Sequence, residues 1–241
     1  MTKEVKKNME SKVVIKASRM WDGIEAAHEI VELIGDELKD KPSFVLIFTT
    51  IHYKEQIKEI LKILSESISK KTPFIGGTIP GFITNSGVFV HGIVVVAYWI
   101  VDSEVFTVIG EHTKKNPEKS ADSIVDQINK RETVVKNYDT KILIEFISGP
   151  TVPQFPILRR KKVIRNNTMG NILSLFGNFF LEVFENGVGR EEEVLEALSS
   201  KLPDWYIIGG STLDDNNLVD NLQYYGDSVK RNSLVGIVLL T

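Results

Sequence analysis

Residues 73–83 read PFIGGTIPGFI, and residues 205–215 read WYIIGGSTLDD. In both stretches a short apolar run leads into two adjacent glycines, followed by threonine or serine. Glycine adopts backbone conformations that other residues avoid and lets another backbone or a ligand come close. The pattern therefore predicts, twice in one chain, a strand that ends in a sharp Gly-Gly turn. Such a turn either lines a concave site for an anion with its N–H groups or only lets the sheet turn tightly against the rest of the chain.

The same order of elements surrounds each glycine pair. Apolar runs alternate with amphipathic periodicity, so strands alternate with helices. In the first half, strands are predicted at 12–18, 43–49 and 92–100. Between Tyr53 and Ile68 the apolar residues recur at helical spacing, which predicts an amphipathic helix. In the second half, strands are predicted at 105–111, 141–147 and 234–240, a helix from Asn116-Pro117, and helices at 168–185 and 191–201.

This repetition predicts an α/β protein of two related halves, each a mixed sheet flanked by helices and ending in a Gly-Gly turn. The first glycines are 209 − 76 = 133 residues apart, and the late strands align Gly92-Ile93-Val94 with Gly236-Ile237-Val238, 144 residues apart. We expect a charged tail over 1–11, a first half over 12–101, and a second half over 102–241 that carries an exposed insertion near 150–167.

Composition narrows the functional classes. Of 241 residues, 42% are hydrophobic and 25% are charged, which is typical of a globular protein, and the net charge of −3 gives no pull towards nucleic acid. The chain has no cysteine, which removes disulfides, zinc-thiolate sites and a cysteine nucleophile. The N-terminus lacks the apolar segment of a signal peptide. The sequence thus predicts a soluble, cytoplasmic protein that does not bind membrane.

The residues around both glycine pairs resemble the FIST N-terminal domain, a sensory domain of bacterial and archaeal signalling proteins. Ile75-Gly76-Gly77-Thr78 with Gly81 is similar to the family's first turn, and Ile208-Gly209-Gly210-Ser211 with Asp214-Asp215 is similar to its second. The resemblance implies a non-enzymatic module that binds small ligands, amino acids among them. It also implies that the bound state is passed to an output domain. Because the chain ends at Thr241, we expect a separate output protein.

Two positions depart from the family pattern. Gly77 stands where a cysteine is usual, and Phe82 stands where an acidic residue is usual. These departures leave two alternatives open. One is an enzyme that acts on a small acid or amide at the same cleft. The other is a scaffold with a vestigial pocket, whose basic run Arg159–Lys162 docks a partner.

The predicted binding site lies where the two Gly-Gly turns meet the ends of the strands. Backbone N–H groups and two hydroxyls are expected to bind a ligand carboxylate, and Asp214 or Asp215 its ammonium group. The alternative for these two acids is a solvated turn. No catalytic set, metal spacing or cofactor motif is predicted. The site residues are His52, Gly76, Gly77, Thr78, Gly81, Gly209, Gly210, Ser211, Asp214 and Asp215.

Overall fold

The structure is a computed structural model that describes residues 10–35, 37, 41–69, 71–151, 185 and 189–241. The first half of the chain alternates strands and helices, as the apolar periodicity predicts. Its elements are β1 (Lys12–Ser18), α1 (Gly23–Ile34), β2 (Phe44–Thr49), α2 (Ile57–Ile68), β3 (Phe74–Thr78), β4 (Phe82–Thr84), β5 (Gly87–Phe89) and β6 (Ile93–Trp99).

The second half repeats this order. Its described elements are β7 (Glu104–Glu111), α3 (Pro117–Asn129), α4 (Glu132–Val135), β8 (Lys141–Ser148), α5 (Glu191–Lys201), β9 (Tyr206–Thr212), β10 (Gln223–Tyr225), β11 (Ser228–Lys230) and β12 (Ser233–Leu240). The predicted helix over 168–185 and most of the predicted insertion over 150–167, with its basic run, lie outside the described residues.

Two large sheets pack face to face between two layers of helices. The first sheet has the strand order β1-β6-β2-β3-β10-β11, and the second has the order β7-β12-β8-β9. Helices α1 and α2 cover the outer face of the first sheet, and α3 and α5 cover that of the second. A third apolar cluster lies between the sheets and includes Phe44, Leu46, Ile75, Val235 and Ile237. Alternate residues of β2 therefore point to opposite apolar layers, which explains its unbroken apolar run.

The two sheets share one topology. In each, the last long strand lies antiparallel between the first and second strands, and the second and third strands are parallel. The observed register gives equivalent triplets, which are Gly76-Ile47-Val95 and Gly209-Glu145-Gly236. Val95 and Gly236 are thus equivalent at a spacing of 236 − 95 = 141, so the spacing of 144 taken from the shared Gly-Ile-Val was wrong by three residues. The shared topology is consistent with duplication of one α/β unit.

One hairpin crosses between the sheets. Hairpin β10–β11 belongs to the second half in sequence, yet β10 pairs with β3 of the first sheet, with Gln223 opposite Gly77 and Tyr225 opposite Ile75. The buried Tyr224 donates to or accepts from Thr49, with 2.6 Å between the two hydroxyl oxygens. The first sheet is therefore completed by the second half of the chain.

The glycine pairs lie within strands rather than in turns. Gly76 and Gly77 belong to β3, Gly209 and Gly210 belong to β9, and the chain leaves each sheet only after the residues that follow. A Cβ atom on Gly76 would collide with the carbonyl group of Ile47, and one on Gly209 would collide with that of Glu145. The need for glycine thus comes from a close approach between parallel strands, repeated at equivalent positions.

Candidate functional site

A carboxyl group is buried in the middle of β8. Glu145 is 2% exposed and lies between Leu143 and Ile147, which pack in the layer of α3 and α5. Because side chains alternate along a strand, Glu145 faces that same helical layer. Its Oε2 atom is buried and has no hydrogen-bond partner among the described residues. Burial, and to a lesser extent the negative charge of Glu191, raise the pKa of Glu145 to about 8.

Helix α5 brings a second carboxyl group to the same face of the second sheet. Glu191 lies in the first turn of α5, where the helix dipole favours negative charge. The hydroxyl of Ser211 on β9 donates to its Oε1 atom at 3.1 Å. Ser211 lies opposite Ile147 in the parallel pairing of β8 and β9, so it shares the face of Glu145.

A buried ammonium group lies in the segment between β7 and α3, where the charge of Glu191 acts on it. Lys114 is 0% exposed, and its Nζ atom donates to the Thr151 hydroxyl at 2.8 Å. Burial lowers the pKa of Lys114 to about 8, and the acids Glu191, Asp220 and Glu185 partly oppose this shift. No carboxylate oxygen among the described residues lies within ion-pair distance of its Nζ atom.

We call Lys114, Glu145, Glu191 and Ser211 the Lys114–Glu145 cluster. It combines one buried cation with two acids and a hydroxyl, and the charge of Glu191 acts on the pKa of both Lys114 and Glu145. Gly209, opposite Glu145 in the ladder, has no side chain to cover the acid, and the residues of β9 around it are exposed. The cluster therefore holds groups of both charge signs, and Glu191 links them electrostatically.

Comparison with known proteins identifies the family. The model of the FIST N domain matches residues 43–241. The chain belongs to the FIST N domain family. This match confirms the resemblance that the two glycine stretches predict. FIST domains form a family of sensory signalling domains. None of the curated proteins matches this FIST N domain.

One solved structure that aligns with this FIST N domain is a crystal structure of cyanuric acid hydrolase from A. caulinodans. The two chains are 7% identical with a TM-score of 0.40, and the alignment covers 96% of this chain and 71% of that chain. A likeness at this level carries no conclusion about function.

The structure brings three of the predicted site residues to the Lys114–Glu145 cluster. Gly209, Gly210 and Ser211 lie on β9 beside Glu145, and all three are exposed. The residues of the first glycine pair and Thr78, in contrast, are buried in β3. The Thr78 hydroxyl accepts a hydrogen bond from the Leu222 backbone at 2.9 Å, which ties the loop before β10 to β3.

Asp214 and Asp215 differ in their surroundings. Asp214 is 2% exposed, and its carboxylate accepts hydrogen bonds from the backbone N–H groups of Leu218 at 2.9 Å and Val219 at 2.6 Å. Asp214 therefore organises the loop between β9 and β10. Asp215 is exposed. The ligand role of either acid stays a prediction.

The contacts described for His52 and Gly81 involve no residue of the Lys114–Glu145 cluster. His52 is exposed in a short 3-10 turn after β2, and its ring centroid is 5.1 Å from that of His91. Burial lowers the pKa of His91, and His52 lowers it further. Gly81 precedes β4, where a Cβ atom would meet the carbonyl oxygen of Phe89. Phe82 packs against Phe89, with 5.5 Å between their ring centroids.

Other features of the surface do not coincide with the predicted site. Three clefts of about 740, 730 and 730 Å³ lie elsewhere, and none of them is lined by a predicted site residue. Within the described part of the chain, no group of three or more His, Cys, Asp or Glu side chains could hold a metal ion. The helices of that part are all too short or too polar to cross a membrane.

Sequence reasoning missed Lys114, Glu145 and Glu191. A pattern was available for Glu145, which is the only charged residue between Lys141 and Ile147 in the apolar run KILIEFI. Lys114 lies in the charged stretch HTKKNPEK, and Glu191 is the first of three consecutive glutamates. No local feature distinguishes these two from their solvated neighbours, because their burial depends on how β7, α3 and α5 pack.

Proposed function

We propose that this FIST N domain is a non-enzymatic sensor that binds a small ligand, an amino acid, at the Lys114–Glu145 cluster. In this proposal Lys114 and the hydroxyl of Ser211 bind the ligand carboxylate, and Glu145 and Glu191 bind its ammonium group. A separate output protein then reads the bound state.

The observation that carries the proposal is the uncompensated burial of two ionisable groups of opposite type. An unpaired buried charge is costly, and natural proteins pair such groups or neutralise them. Glu145 has an unpartnered buried oxygen, and the Nζ atom of Lys114 donates to one hydroxyl. A zwitterionic ligand would supply a cation to the first and an anion to the second, so ligand binding would restore the charge on both.

A thermal-shift screen of the common amino acids tests this proposal. A ligand present at about 100 times its Kd should raise the free energy of unfolding by about 2.7 kcal/mol. For each amino acid that shifts the melting temperature, two analogues serve as matched controls. One is its amide, which lacks the carboxylate, and the other is its deaminated acid. Both analogues should lose the shift. A screen without any shift, or analogues as effective as the amino acid, would contradict the proposal.

Titration calorimetry of variants locates the site. A hydrogen bond to a charged group contributes about 1.5 to 3 kcal/mol, so Glu145→Gln and Lys114→Met should each weaken binding about 10- to 150-fold. Asp215→Asn is the matched control and should bind the ligand as tightly as wild type. It distinguishes binding of the ammonium group by Glu145 and Glu191 from its binding by Asp214 or Asp215. Weaker binding in Asp215→Asn with unchanged binding in Glu145→Gln would move the site to the predicted acids.

A second candidate function is an enzyme that acts on a small acid or amide at the same cluster. The observation that favours it is that burial brings the pKa values of both Glu145 and Lys114 to about 8, and groups tuned towards neutral pH are typical of general acids and bases. Release of ammonia from amino acid amides, measured with wild type and Glu145→Gln, separates the two candidates. Turnover that needs Glu145 would favour the enzyme, and stable binding without turnover would favour the sensor.

A further inference from the structure

Strand β9 has an open edge. It is the last strand of the second sheet and pairs only with β8 among the described residues. Two of its three large apolar side chains are exposed, with Tyr206 at 67% and Ile208 at 54%. An exposed edge with apolar side chains is a template for pairing with another strand.

The equivalent strand of the first sheet shows what covers such an edge. Strand β3 pairs with β2 on one side and with β10 on the other, so it has no open edge. Ile75, which corresponds to Ile208 at the spacing of 133, is 0% exposed. Among the residues that the structure describes, one edge of this type is therefore closed by a hairpin and the other is open.

The hairpin β4–β5 is the counterpart of the hairpin that closes β3. Both have two three-residue strands joined by two residues, and each residue of β4–β5 corresponds to one of β10–β11 at the spacing of 141. Tyr224 is 0% exposed and packs with Val229 in the helical layer of the first sheet. The corresponding Ile83 and Val88 are 80% and 72% exposed. The hairpin thus presents an unpacked apolar face at the positions where its counterpart is packed.

A difference in loop length keeps β4–β5 in its own half. Residues 213–222 carry the chain from β9 across to the first sheet, whereas only three residues, 79–81, join β3 to β4. The short hairpin instead forms a separate two-stranded sheet, where Arg19 lies over the ring of Phe89. Within one chain, β9 and β4–β5 remain unpaired with each other.

We propose that the hairpin β4–β5 of a second copy of this chain pairs with the open edge of β9. The pairing of β10 with β3 supplies the register, so Ile83 lies opposite Gly209 and Thr84 lies opposite Ile208. Ile83 and Val88 then face the helical layer around α5, as Tyr224 and Val229 face that around α2. The hairpin of each copy pairs with β9 of the other, and these two reciprocal contacts, related by a two-fold axis, close a dimer.

Sedimentation equilibrium of full-length variants tests the dimer. Val88→Asp in the hairpin and Ile208→Asp in β9 should each convert dimer to monomer and leave the circular dichroism spectrum unchanged, because both side chains are exposed in the single chain. Ile15→Asp is the matched control, since Ile15 is 60% exposed on β1, another edge strand. A 1:1 mixture of the Val88→Asp and Ile208→Asp chains should regain association, because one of the two contacts remains intact. A monomeric wild type, or a dimer lost only in Ile15→Asp, would overturn the proposal.

Cysteine cross-linking tests the register. The chain has no native cysteine, so each introduced thiol is unique. Residues opposite one another in an antiparallel pair have Cα atoms about 4.5 to 5.5 Å apart, within the range that a disulfide spans. Oxidation of a mixture of Thr84→Cys and Ile208→Cys chains should therefore give a disulfide-linked heterodimer. A mixture of Ile15→Cys and Ile208→Cys chains should not. Equal cross-linking in both mixtures would overturn the proposed register and the contact on which it depends.

Discussion

At neutral pH the carboxyl group of Glu145 is held in its protonated form, because burial and then Glu191 raise its pKa to about 8. The folded state keeps this proton at pH values where the unfolded chain, with an ordinary pKa near 4.5, has released it. The contribution of this proton to the free energy of unfolding is complete below about pH 4.5 and is lost as the pH rises to about 8. Relative to Glu145→Gln, the free energy of unfolding of wild type should fall by about 2 to 3 kcal/mol between pH 5 and pH 7. Urea unfolding measures this difference, Glu192→Gln on the exposed face of α5 is the control, and parallel pH profiles would contradict it.

Gly76 and Gly210 allow a second test at the scale of single residues. A Cβ atom on Gly76 would lie inside the Ile47 carbonyl group, whereas one on Gly210 would meet nothing within 4 Å. We expect Gly76→Ala to cost at least about 3 kcal/mol, because a backbone atom of β2 has to move. Gly210→Ala should change stability by less than about 1 kcal/mol. Thermal unfolding of both variants checks this, and similar losses would mean that the strands separate easily at Gly76.

Several of the residues that the sequence patterns mark have a local structural role. Gly76 and Gly209 are found where the backbone is crowded, and Asp214 and Ser211 both make polar contacts. Their ligand-binding role stays a prediction. Gly76, Gly77 and Thr78 are buried in β3, which pairs with β10 from the other half of the chain. Lys114 escaped prediction because only tertiary packing removes it from water.

Asp214 acts at the scale of the element, since it organises the loop that leads from β9 to β10. The backbone N–H groups of Leu218 and Val219 donate to its buried carboxylate. Hydrogen bonds to a charged group contribute about 1.5 to 3 kcal/mol each, so Asp214→Ala should lower the free energy of unfolding by about 3 kcal/mol. Faster amide hydrogen exchange is expected in β10 and in the neighbouring β3. Asp215→Ala, at an exposed position, should leave both unchanged. Equal exchange rates in the two variants would show that the loop holds its shape without the carboxylate.

Elements with a strong apolar period were predicted within a few residues. Helix α2 buries five residues of the predicted stripe, Ile57, Ile60, Leu61, Leu64 and Ile68. Pro117 is the first residue of α3, as the Asn-Pro pair predicts. The short strands of the hairpins β4–β5 and β10–β11 were not predicted, because three residues are too few to show a period. Their pairing depends on the partner strand rather than on their own sequence.

The whole molecule depends on contacts between its two halves. The apolar cluster between the sheets contains residues of both halves, and the rings of Phe48 and Phe146, which are equivalent positions, meet edge to face at 4.9 Å. The mixed α/β architecture is as the sequence predicted, and the shared topology of the two sheets is consistent with two related halves. The sequence did not predict that the halves share a sheet, because the crossing of β10 to β3 is a long-range pairing without a local sequence pattern.

This sharing predicts how the chain responds to division. A fragment of residues 10–101 would expose the inner face of the first sheet, including Phe44, Leu46 and Ile75, and would lose the strand that covers β3. Burial of apolar surface contributes roughly 25 cal/mol per Å², and a single domain is stable by only about 5 to 15 kcal/mol. We therefore expect the fragment alone to lack a cooperative thermal transition. Mixing it with a fragment of residues 102–241 should restore one, together with the circular dichroism spectrum of the intact chain. A fragment of residues 10–101 that unfolds cooperatively on its own, near the melting temperature of the whole chain, would mean that the halves are independent domains. It would also mean that the pairing of β10 with β3 is not needed for the first half of the chain to fold.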